Sequence, residues 1–210
     1  MLVDYSCIEF TDKLAAKTPV PGGGGASALT GALGIALGSM VCNYTIGKKK
    51  YKNVEDDVKV ILKKASKLQS ELLSLVDMDA TAFEPLSRAY SMPNTTGDEK
   101  KLKDKIMEEA LKEAALVPFK IMKTAVEAIS LHEELLNKGS KIIISDIGVG
   151  VILCKASLEA ASLNVYVNTN LMKDKNVANM LNKKTAELLE LGVKKANEVY
   201  KKVQSEIITS

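Results

Sequence analysis

The stretch PVPGGGGASALTGALGIALGSMVCNYTIGKKKY, residues 19–51, decides how the chain folds. Four glycines in a row, Gly22 to Gly25, cost backbone entropy and pack nothing. They are followed, from Ala26 to Gly47, by a segment without a single charge. Such a segment reads either as a membrane span, with Gly34 and Gly38 as a GxxxG pair, or as a helix buried on all sides of a soluble bundle. Its many Gly, Ala, Ser and Thr residues, together with Asn43 and Tyr44, favour the buried helix. Gly31, Gly34 and Gly38 recur along one side and predict a close helix–helix approach, within the chain or between subunits.

The rest of the chain extends this reading. Ser6 with Glu9 predicts a capped first helix that ends near Lys17. Apolar residues Leu62, Leu68, Leu72, Val76, Phe83 and Leu86 mark a stripe on a long helix from about Val54 to Tyr90. Thr96 with Glu99 caps the next, which Pro118 is expected to kink and Gly139 to end in a left-handed cap. Lys141–Ser145, KIIIS, is the one strand candidate. Ser145 and Asp146 open a further helix through Leu163, LNVYVNTNL is ambiguous, and a last helix covers about Asn176 to Ile207. No βαβ alternation or hairpin signal occurs. The expectation is an all-α, single-domain bundle of about six long helices over residues 1–210.

Composition narrows the function. The net charge is +3 over 210 residues, and Arg88 is the only arginine, which argues against a sequence-specific nucleic-acid reader. His132 is the only histidine and Cys7, Cys42 and Cys154 contain no CxxC, so neither a Cys/His zinc site nor a histidine triad is expected. The cysteines read as buried thiols of a reducing compartment. With no signal-peptide pattern at the N-terminus, the expected location is cytoplasmic, with no membrane partner.

The glycine run lacks the Lys-Ser/Thr of a P-loop and the spacing of a dinucleotide fold. It reads either as a tight turn, or as a backbone cradle whose free N–H groups at a helix N-terminus suit a carboxylate, a phosphate or a polar heterocycle. Asp79 interrupts the apolar stripe formed by Leu72, Val76 and Phe83. A carboxylate there is either a proton carrier whose pKa burial raises, or a structural bridge between helices. Asp77 falls on another face and reads as solvated or helix-polar. Asn164 and Asn168, four apart, share a face if their segment is helical, as a ligand-binding pair or an interhelical one. Asp146 reads as a helix cap or a ligand contact. His132 reads as a surface or boundary residue, and Lys48, Lys49 and Lys50 as a solvated face.

Residues 19–51, DMDATAF (77–83), MPNTTGDEK (92–100), Val117-Pro118, Ser145-Asp146 and NVYVN (164–168) follow in an order that resembles the formiminotransferase-cyclodeaminase family along nearly the whole chain. Two departures are a fourth glycine where the family has three, and NTN after Val167, which matches Asn168 but not Asn170. The resemblance implies an all-α fold, a homodimer and a folate substrate, with no metal and no cofactor beyond the tetrahydrofolate derivative itself. It implies work on the one-carbon bridge between N5 and N10, by a methenyltetrahydrofolate cyclohydrolase or a formiminotetrahydrofolate cyclodeaminase. In that frame Asp79 moves the proton. Gly22, Gly23, Gly24, Asp146, Asn164 and Asn168 bind substrate, and Lys48 and Lys49 meet its glutamate tail. The alternative is a non-catalytic bundle of the same fold that binds folate or a partner.

Overall fold

In the computed structural model, which describes residues 1–209, the chain forms six α-helices: α1 (Cys7–Ala15), α2 (Gly23–Asn43), α3 (Glu55–Tyr90), α4 (Gly97–Lys138), α5 (Ile144–Leu171) and α6 (Lys175–Ile208). Single 3-10 turns at Leu2–Asp4, Lys49–Tyr51 and Lys141–Ile143 punctuate them. There is no strand among the described residues. KIIIS is therefore a correction. Its first three residues form a 3-10 turn and Ile144 opens α5; with no second strand to pair with, an isolated β-rich run has no ladder to join.

The caps explain most of the boundaries. Ser6 and Glu9 form a capping box on α1, and Thr96 and Glu99 form one on α4. Asp174 Oδ1 accepts the N–H of Val177 and starts α6. α4 runs unbroken through Pro118. Gly139, expected in the left-handed region, is extended instead (φ −79°, ψ 160°). The left-handed glycine is Gly47 (φ 78°), in the turn that follows α2, a backbone that side chains other than glycine rarely adopt.

α2 lies at the centre and packs against α3, α4 and α5. Its missing Cβ atoms set the spacing. A Cβ on Gly31 would press on Ser157 Oγ of α5 at 2.7 Å, and one on Gly34 would meet Cys154 Sγ at 2.6 Å and the Gly150 carbonyl at 2.8 Å. The small-residue side of α2 is thus an α2–α5 contact inside the chain. Of the most apolar window of α2, the helix long and apolar enough to cross a membrane, 56% is buried in the fold. Packing against three neighbours accounts for its lack of charge.

Three readings of single residues change. His132 is fully buried, its ring against Gly38 and Gly150. Its Nδ1 donates to the Ala128 carbonyl at 2.9 Å, and burial lowers its pKa and keeps the imidazole neutral. Cys7 is exposed, whereas Cys42 and Cys154 are buried, their thiols pushed up by burial to about 11 and about 12. Asp77 is not solvated. It accepts the backbone N–H of Leu2, and its second oxygen is buried without a partner.

Candidate active site

The glycine run is the first turn of α2 rather than a separate turn. Gly22 is the N-cap, extended at φ −124°, and Gly23 to Gly25 are already helical. Its carbonyl accepts the Ala26 N–H at 3.0 Å. Because Gly22 has no side chain, the helix lacks an intrinsic cap. The cap comes from α3 instead: Asp79 Oδ2 accepts the Gly25 N–H at 2.9 Å. Among the described residues, the N–H groups of Gly23 and Gly24 have no partner.

The approach of Asp79 is what demands glycine. A Cβ on Gly24 would fall on the Asp79 carboxylate itself. On Gly23 it would only touch the Asn164 amide at 3.4 Å, and on Gly22 it would meet nothing. Of the three, Gly24 is therefore the position where the carboxylate leaves no room for a side chain.

A hollow of about 170 Å³ opens beside this junction. α2 contributes Gly23 and Gly24, α3 Asp79 and Phe83, and α5 Asn164 and Asn168. Burial raises the pKa of Asp79 above the ordinary carboxylate value, against the opposing pull of the Gly25 N–H. Its Oδ1 has no partner among the described residues, so one oxygen is held by α2 and the other is left for a ligand.

The two asparagines are fixed from behind. Asn164 Nδ2 donates to the Ala160 carbonyl at 3.1 Å, and Asn168 Nδ2 donates to the carbonyls of Asn164 and Ala114, each at 2.9 Å. Ala114 is four residues before Pro118, which has no N–H to offer it. The proline therefore frees the carbonyl that holds Asn168, and α4 and α5 are joined at the site. Both amide oxygens remain without a partner among the described residues. With the free N–H groups of Gly23 and Gly24 they give the hollow acceptors and donors together, suited to the edge of a polar heterocycle.

The structure thus brings together Gly22, Gly23, Gly24, Asp79, Asn164 and Asn168. It does not bring Asp146, Lys48 or Lys49 to them within one chain. Asp146 is in the first turn of α5, eighteen residues before Asn164, or ~27 Å along the helix axis. Lys48 follows the far end of α2 and donates to Ser140 Oγ at 3.2 Å. The residues missed from sequence are Phe83, Ala114 and Val167 in the walls, with Pro19 and Val20 over the mouth. Phe83 carried a signal, as part of the DMDATAF stretch. A larger hollow of about 480 Å³ lies between α3 and α4, but opposite charges such as Lys64, Lys67, Glu127 and Glu134 line it, and no set of groups converges there. Among the described residues no three His, Cys, Asp or Glu side chains are grouped to hold a metal.

Comparison with known proteins fits this arrangement. The family model for formiminotransferase-cyclodeaminase matches residues 6–187. A methenyltetrahydrofolate cyclohydrolase of Methylorubrum extorquens is 41% identical over 198 residues, 94% of this chain and 95% of that protein. The formimidoyltransferase-cyclodeaminase of Mus musculus is 30% identical over 82% of this chain, but the match spans only 32% of that longer protein. The crystal structure of a formiminotetrahydrofolate cyclodeaminase from Thermotoga maritima superposes with a TM-score of 0.82 at 29% identity, covering 100% of both chains. In sequence, in fold and over nearly its full length, the chain belongs to the formiminotransferase-cyclodeaminase family.

Proposed function

We infer that the chain is a tetrahydrofolate one-carbon enzyme that acts at the N5–N10 bridge, with hydrolysis of 5,10-methenyltetrahydrofolate as its reaction. The observation that carries this is Asp79, a half-buried carboxylate with a raised pKa and one free oxygen, among fixed amides in a small hollow. The full-length likeness to a protein named as a cyclohydrolase supports the choice of reaction.

The chemistry follows from the groups present. The substrate's amidinium cation lies against the Asp79 carboxylate, and charge attraction favours its binding. A water oxygen bonds to the one-carbon centre while Asp79 takes a proton from that water. The carbon becomes tetrahedral between two nitrogens. Asp79 then gives the proton to N5 as the C–N5 bond breaks, and the carbinol hydroxyl loses its proton to solvent. One proton is released per turnover and Asp79 is restored. A raised pKa suits both halves of this cycle, because the carboxylate is a stronger base than an exposed one and its acid form a usable donor. Asn164, Asn168 and the N–H groups of Gly23 and Gly24 hold the heterocycle so that the carbon meets Asp79.

Loss of the near-ultraviolet band of the methenyl compound, faster with protein than without, tests the reading. The Thermotoga maritima relative favours one second reading, cyclodeamination. There N10 attacks the formimino carbon, ammonia leaves, and the same band appears instead of fading. If protein changes neither substrate, the family fold here is a binder without chemistry.

The same reading includes a homodimer in the cytoplasm, with no nucleic acid, membrane or further cofactor. The exposed face of α2 and α5 supports the dimer: Leu33, Val149, Ile152, Leu163 and Val167 are all open to solvent on adjacent helices. Ile152→Lys should halve the mass in solution; an unchanged mass places the interface elsewhere.

A further inference from the structure

A second groove adjoins the active-site hollow. It holds about 440 Å³ and shares the walls Pro19, Val20 and Phe83 with the hollow. From Phe83 it passes round the flank of α3, by Ser87 and Ala80, to Glu84, Arg88 and Thr81. Ala80 to Arg88 is eight steps along one helix, so the groove has ~12 Å of axial length.

Two features of this groove point to one kind of occupant. Arg88, at its outer end, is the only arginine in the chain, and its guanidinium is built for carboxylates. In the structure it is paired with Glu84, one turn away, with both side chains mostly exposed. An exposed helix pair of this kind holds weakly and exchanges readily for a better partner. Phe83, shared with the hollow, supplies an aromatic wall at the inner end of the groove.

We propose that this groove is the tail subsite of the active site, taking the aminobenzoyl-glutamate end of the substrate, with Arg88 binding a glutamate carboxylate. The assignment rests on the folate reading of the hollow. Placing the one-carbon bridge at Asp79 leaves the benzoyl ring to lie along Phe83. The glutamate carboxylates then reach Arg88, where they replace Glu84. Lys48 and Lys49, at the opposite end of α2, do not serve this role within the chain.

The test compares two substrates. One is 5,10-methenyltetrahydrofolate. The other is its pteroate analogue, which ends at the benzoate and lacks glutamate. Arg88→Gln should raise KM for the glutamyl substrate about tenfold, the scale of one charge-assisted pair, with kcat little affected. With the pteroate, wild type and Arg88→Gln should share one kcat/KM. Glu84→Gln, which removes the competing carboxylate, should lower KM for the glutamyl substrate. Equal effects of Arg88→Gln on both substrates, or no effect on either, would overturn the assignment. If wild type turns over neither the methenyl nor the formimino compound, the folate reading itself fails and the tail subsite falls with it; an active wild type with an indifferent Arg88→Gln refutes the subsite alone.

Discussion

Replacing Asp79 by Asn should lower turnover while leaving the fold as stable as before, or more so. The amide has the shape of the carboxylate, and its oxygen still accepts the Gly25 N–H that Oδ2 holds at 2.9 Å. What disappears is the proton carrier. A positioned acid or base contributes about 10²–10⁴ in rate, or ~3–5 kcal/mol of barrier at 1.36 kcal/mol per tenfold. Stability moves the other way for a separate reason. Burial raises the folded-state pKa of Asp79 above its unfolded value. The protonated acid is then favoured in the fold, and the stability linked to this group is full below the unfolded pKa and is lost as pH rises through the folded one. At neutral pH the wild-type fold carries the cost of an ionised, half-buried carboxylate, and Asn does not. Activity needs that ionised form, so wild-type kcat/KM should fall as pH drops through the raised pKa, with an inflection above the ordinary carboxylate range. The assays are the decay of the methenyl band across pH and thermal melting at neutral pH. If Asp79→Asn retains full turnover, or if it melts well below wild type while Asp77→Asn does not, Asp79 is a structural cap of α2 and not the proton carrier.

Other substitutions separate the roles around it. Gly24→Ala should abolish most turnover, because its Cβ falls on the Asp79 carboxylate, whereas Gly23→Ala should be tolerated; similar kinetics for the two variants would contradict the geometry. Gly34→Ala should cost about 1–3 kcal/mol in chemical denaturation, because the Gly150 carbonyl at 2.8 Å is backbone and cannot turn aside. An unchanged midpoint would show that α2 and α5 are not so close. Pro118→Ala restores an N–H that competes for the Ala114 carbonyl, loosening Asn168; KM should rise while the melting temperature holds or increases, and a KM equal to wild type would remove Pro118 from the site.

Much of this protein is written locally. The capping boxes at Ser6/Glu9 and Thr96/Glu99 and the apolar stripe of α3 are short-range patterns, and each appears in the fold where the sequence places it. Asp79 as an interruption of that stripe was legible for the same reason, since a 3.6-residue period tells which face a residue joins. His132 was misread as a surface or boundary residue: it shares a buried face with Ile129 and Leu136, but its polarity masked the pattern. The partner of each face is another matter. Nothing near Gly24 in sequence announces a carboxylate fifty-five residues away, and nothing near Pro118 announces that Asn168 will use the carbonyl it frees. Arg88 and Lys48 are both cations beside a folate motif, yet helix length alone places one beside the hollow and the other beyond the far end of α2. Periodicity fixes phase within a helix, and only packing decides which phases meet, because the contacts that join α2, α3, α4 and α5 are between residues that have no local relation in the chain.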